Sequence, residues 1–165
     1  MERDDEQLLE IHERLHEKGA KTASRPEART RLFMKLMLDT NICIYLIKKH
    51  PVSVLDRFRS FQVGTIGISI ITLAELLYGV AKSRDPARNR EALSEFTAPL
   101  EVAPFDTDAA AEYGRVRTVL EKQGRLIGAM DLLIAAHAVS LDVTLITNNI
   151  AEFKRVPRLN VENWL

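Results

Sequence analysis

"MLDTNICIYL", residues 37–46, decides the fold. An apolar run ends at Asp39-Thr40-Asn41, and apolar character then resumes at Ile42, Cys43, Ile44 and Leu46. The first part, within "KLMLD", does not alternate with polar residues, which suits a strand buried on both faces of a parallel sheet. The second, "NICIYLIKK", has helical spacing. Asp39 therefore stands where a strand hands over to a helix. Taken alone, an Asp there is a turn or cap residue as readily as a ligand.

Working outward, the same strand pattern recurs in "TIGIS", "LEVAPF" and "VTLIT", with a last short strand at "NVENW". Between them lie helical segments. "ISIITLAELLYGVAKS" places Leu73, Leu76, Leu77 and Val80 on one face and Thr72, Glu75, Gly79 and Lys82 on the polar one. "PARNREALSEF" follows. "DTDAAAEYGRVRTVLEKQG" opens with acidic caps and closes on Gly124. "GAMDLLIAAHAVSLD" is apolar nearly all round. Alternation of strands and helices predicts a three-layer α/β/α domain, a mainly parallel sheet over residues 34–165. Function in such sheets lies at the carboxyl ends of the strands.

The chain has 165 residues, 46% hydrophobic and 28% charged, enough for one domain with a full core. With 23 Lys/Arg against 23 Asp/Glu, net charge announces no nucleic-acid partner and excludes none. Cys43 is the only cysteine, so no intrachain disulfide forms. No apolar stretch approaches the length of a membrane span, and the N-terminus has no apolar leader core. The expectation is a cytoplasmic protein without membrane contact.

Three acids fall where one crevice would gather them. Asp39 ends the first strand. Glu75 lies on the helix after the second strand, where a solvated surface Glu is the plain alternative. Asp131 is the most informative. Its neighbours three, four and seven positions on are Ile134, Ala135 and Ala138, so its carboxylate faces apolar surroundings. That costs hydration unless a helix N-terminus or a cation compensates. Thr147, Asn148 and Asn149 follow the fourth strand, as an Asx-type turn or as polar lining of the same crevice. Carboxylate, amide and hydroxyl oxygens together would suit Mg²⁺ or Mn²⁺ rather than zinc.

"MLDTNICIYLI", "ISIITLAELLYG", "RLIGAMDLLIAAHA" and "LITNNIAEFKRVPRLNVENW" together resemble the PIN-domain endoribonucleases, specifically the VapC toxins of VapBC toxin–antitoxin systems. The resemblance implies that Asp39, Glu75 and Asp131 hold one or two divalent ions, with Thr40 and Asn41 accompanying Asp39. Where many PIN domains carry a fourth acid, Asn149 stands here, after Asn148. It further implies metal-assisted hydrolysis of RNA, often tRNA, a VapB-type antitoxin partner and a homodimer. Lys48, Lys49, Arg84, Arg88, Arg115, Arg117, Arg125 and Lys154 are candidates for the phosphate backbone.

Rival features are few. "HERLH", residues 12–16, matches H-E-x-x-H through His12, Glu13 and His16, but Thr22 stands where the extended zinc-peptidase form needs its third histidine. Haloacid-dehalogenase-like phosphatases need a second Asp where Asn41 stands. A non-catalytic RNA-binding module would have no use for the acids. Cys43, His137, Trp164, Tyr78 and Tyr113 read as packing residues. Residues 1–33 differ in character: an amphipathic helix over 4–18, then a basic linker. They are an extension, or resemble an antitoxin tail that would bring Arg25, Arg29 or Arg31 to the acids.

Overall fold

A computed structural model of the chain describes residues 34–165. The helix expected over 4–18, the His12-Glu13-His16 motif and the arginines of the linker lie outside the described residues. Five strands form one sheet in the order β3-β2-β1-β4-β5. They are β1 (Leu36–Leu38), β2 (Ile66–Ser69), β3 (Glu101–Ala103), β4 (Thr144–Ile146) and β5 (Val161–Glu162). Every pairing is parallel, with Leu38 opposite Ile68 on one side and Ile146 on the other. β1 and β4 are thus neighbours although β2 and β3 intervene in sequence. The strand order reverses between them, and an α/β sheet opens its crevice at such a point.

Helices α1 (Thr40–Lys48), α2 (Val52–Arg59), α3 (Ile70–Lys82), α4 (Pro86–Thr97), α5 (Thr107–Lys122), α6 (Ala129–Leu141) and α7 (Ile150–Phe153) flank the sheet. The strands are short and nearly all apolar because both faces are covered. Met37, Leu38, Ile68, Leu145 and Ile146 are fully buried. α1 packs with α2, α3 and α4, and α5 packs along α6. α5 closes as its acidic start and terminal glycine predict. Asp106 caps it through Ala109 N–H, and Gly124 takes φ +62° so that Gly124 and Arg125 N–H reach the Glu121 and Leu120 carbonyls.

Two expectations on α3 need correction. Leu77 is exposed, whereas Leu76 and Val80 are buried and Leu73 is partly so. Thr72 is fully buried rather than polar-faced. The inward stripe runs Thr72, Leu76, Val80, at intervals of one turn, because α3 is covered by α1 and α4 on one side and meets α6 on another. Helix α2 has no counterpart among the segments picked out above: its apolar positions, Val52, Val54, Leu55 and Phe58, alternate with four polar ones over only eight residues. Among the described residues no helix is long and apolar enough to cross a membrane.

Candidate active site

The sheet delivers Asp39 directly. β1 ends at Leu38, and Asp39 caps α1, only 2% exposed. Its Oδ1 accepts from Thr40 N–H at 2.7 Å and its Oδ2 from the Thr147 hydroxyl at 2.7 Å. Its own N–H donates to the Ile146 carbonyl at 2.9 Å, across the seam where the strand order reverses. Asp39 is the cap that the turn reading expected, and capping also holds its carboxylate at the crevice. Burial pushes its pKa up, the bonds from Thr147 and Thr40 pull it down, and the Glu75 charge adds to the rise, which prevails.

Glu75 reaches the same place from α3. The Thr40 hydroxyl donates to its carboxylate, so one residue links Asp39 through its backbone and Glu75 through its side chain. Asp131 comes from the first turn of α6. Its carboxylate folds back over Gly128, where a Cβ would stand 3.4 Å from Oδ2. Its pKa is raised from 3.8 to about 6, by burial first and then by the charges of Asp39, Glu152 and Glu75. Asp131 therefore feels three other carboxylates there, and among the described residues no Lys, Arg or His is ion-paired with Asp39, Glu75 or Asp131.

Glu152 is the residue that reading the sequence missed. It lies on α7, a helix of four residues, too short for periodicity to show which way it faces. The usable signal was spacing: an acid one turn beyond the Thr147–Asn149 corner. Asn149 starts that helix without a side-chain cap bond, and its N–H donates to the Thr147 hydroxyl at 3.0 Å. Asn148 Nδ2 donates to the Tyr45 hydroxyl at 3.0 Å, which ties the corner to α1. Asn41 is exposed and joins none of these hydrogen bonds.

Comparison with known proteins accords with this geometry. Residues 36–159 match the PIN domain model. Ribonuclease VapC2 of Rickettsia felis is 49% identical over 132 residues, spanning 79% of this chain and 98% of the relative. The tRNA(fMet)-specific endonuclease VapC of Shigella flexneri is 45% identical over 131 residues, again 79% and 98%. The crystal structure of VapBC2 from Rickettsia felis bound to a promoter DNA fragment superposes with a TM-score of 0.75 at 48% identity, over 79% of this chain and 98% of that one. The chain belongs to the VapC family of PIN-domain ribonucleases. It is a nuclease of the toxin–antitoxin type.

PIN ribonucleases are generally metal-dependent, and this VapC-family site offers side chains of the kind an ion would need. Its donors are all oxygen. Among the described residues no three His, Cys, Asp or Glu side chains gather tightly enough to enclose a bare ion. The acids sit instead at Coulombic range, two of them braced by threonine hydroxyls. An all-oxygen donor set of this kind would suit a hard divalent ion.

The other singled-out residues sort cleanly. Cys43 is fully buried, and burial together with the nearby Asp39 charge pushes its thiol pKa well up, so it is no nucleophile. Trp164 is buried and stacks on Phe61 at 5.4 Å. Tyr78 does not pack inward: it is 65% exposed, with Lys82 over its ring. Tyr113 is covered in part by Arg117, which donates to its hydroxyl and also pairs with Glu121. Arg115 pairs with buried Glu112. Lys48 lines a groove of about 430 Å³ beside Thr40 and Glu75.

Proposed function

We propose that this VapC-family nuclease hydrolyses phosphodiesters of tRNA in the cytoplasm at a Mg²⁺ or Mn²⁺ site made by Asp39, Glu75 and Asp131. The observation that carries this reading is the gathering of Asp39, Glu75 and Asp131, with Glu152 nearby, where among the described residues no side-chain cation pairs with the first three; burial and like charge there raise the Asp131 pKa and call for positive charge from a ligand. A bound divalent ion would lower the pKa of water to give a nucleophile at neutral pH and would offset charge on the phosphate. The chain's own residues prepare for this. Thr147 and the Thr40 N–H hold Asp39 in one orientation, and the Thr40 hydroxyl holds Glu75. Glu152 bears on Asp131, and Asn149 begins the same short helix, so either would be able to hold an ion directly or through water. Lys48 is exposed beside Glu75, where an incoming phosphate would meet it.

A tRNA substrate is supported by the name of the Shigella flexneri relative, and a VapB-type antitoxin by the VapBC2 complex of Rickettsia felis. The groove beside Glu75 has apolar walls, Ile44, Ile47, Leu76, Val80 and Leu93, suited to an antitoxin segment. A homodimer is supported by the outward apolar positions Ile70, Leu77 and Tyr78 of α3, which are 39%, 42% and 65% exposed. The test is cleavage of tRNA by wild type, Asp39→Ala and Asp131→Ala, with and without EDTA. EDTA and each substitution should reduce cleavage to background. Metal-independent cleavage, or activity surviving both substitutions, would overturn the reading.

A further inference from the structure

Two buried polar side chains lie outside the acidic cluster, yet on the elements that carry it. Ser69 is the last residue of β2 and the cap of α3, and His137 lies two turns into α6; both are 0% exposed. The Ser69 hydroxyl oxygen accepts from Ile71 N–H at 3.0 Å and sits 2.9 Å from His137 Nδ1. Glu75 follows Ser69 by six residues, and Asp131 precedes His137 by six. At 1.5 Å per residue each acid stands only about 9 Å along its helix from this bond. The ring is gripped from a third side by Phe105, edge-on at 5.3 Å, in the loop before α5. The Ser69 contact is a buried side-chain bond to the ring, and the Pro104 backbone and the Asp106 charge also bear on the imidazole.

Neither residue can meet RNA, since both are enclosed. A buried hydroxyl and imidazole are costly to keep unless they bond well, and apolar residues would fill the same space at no such cost. What the pair does is join the start of the Glu75 helix to the middle of the Asp131 helix. The acids themselves repel. We propose that Ser69 and His137 form a buried clasp that sets the spacing of Glu75 from Asp131, acting as positioning residues for the divalent ion. The inference rests on the metal reading given above. Groups that orient metal ligands from behind typically change ion affinity by roughly ten- to a hundredfold when removed, and the clasp acts at one remove from the carboxylates.

The test is Mn²⁺ binding to the full-length protein without RNA, by calorimetry, beside thermal melting. An Asn side chain places an amide where Nδ1 lies, and a Gln places it where Nε2 lies. His137→Asn should therefore keep the bond to Ser69 and His137→Gln should lose it. Ser69→Ala and His137→Gln should weaken Mn²⁺ binding by about tenfold, while His137→Asn stays close to wild type. Val116→Ala, a buried truncation on α5, should lower the melting temperature and leave Mn²⁺ affinity unchanged. Wild-type affinity in Ser69→Ala and His137→Gln would overturn the clasp alone. So would equal loss in His137→Asn, or a matching loss in Val116→Ala. Absence of Mn²⁺ binding by the wild type would overturn the metal reading and this one with it.

Discussion

At the scale of single residues, Asp131 shows how burial and like charge select a ligand. Its carboxyl titrates near 6 in the folded chain against 3.8 unfolded. Between those values the folded chain holds a proton that the unfolded chain has released, so folding there favours the protonated form. The contribution of this group to metal-free stability is therefore whole below 3.8, is lost as pH rises through about 6, and is absent at neutral pH. Asp131→Asn should then stabilise the metal-free protein at neutral pH by about 1 kcal/mol, after discounting a half-exposed group for solvent screening. The gain should vanish near pH 3.8, and cleavage should be lost. Urea denaturation in EDTA at both pH values decides it; a destabilised variant at neutral pH would mean the acids are not in conflict. Asp39 and Asp131 were legible in the sequence, one from its strand end and the other from its apolar helical neighbours. Glu152 was not, because four helical residues carry no readable face.

At the scale of elements, the site depends on how β2 passes between its neighbours. Gly67 pairs with Met37 on one side and Glu101 on the other. A Cβ there would stand 2.5 Å from the Glu101 carbonyl oxygen, a backbone atom of β3 that cannot swing aside, and would also meet the Met34 sulfur. Gly67→Ala should cost about 1–3 kcal/mol, the usual range for forced overpacking. β2 leads straight into Ser69 and α3, so displacement of the strand should also shift Glu75. A lower urea midpoint together with weaker Mn²⁺ binding is the expected pair of results, and unchanged stability would mean β3 yields more easily than its backbone pairing suggests. The element boundaries were mostly readable because buried parallel strands give unbroken apolar runs. The faces of α3 were not. Thr72 and Leu77 exchanged their expected environments, since the direction in which a helix faces is set by α1, α4 and α6 packing around it and not by its own pattern.

At the scale of the whole molecule, the five strand runs and the alternation of strands and helices were legible, but their lateral order was not. Nothing local says that β4 lies against β1; that follows from packing both sheet faces, and it is what brings Thr147 to Asp39. The cluster Leu38, Ile42, Leu46, Val54, Ile68, Leu76, Val80, Leu93, Ile146 and Trp164 is contributed from nearly the full length of residues 34–165. Met34 itself is buried, at 5% exposure. The Rickettsia felis and Shigella flexneri relatives match this chain over 98% of their own lengths while covering 79% of it. A chain beginning at Met34 should therefore fold with the urea midpoint of the full-length protein. It should also cleave tRNA at the same rate if the extension takes no part in catalysis. Both can be measured on the two chains side by side. A large loss of stability would show that the first 33 residues complete the core. A faster rate in the shorter chain would instead show that this basic, helix-patterned segment restrains the nuclease, because removing a covalently held inhibitor lowers its effective concentration at the site to zero.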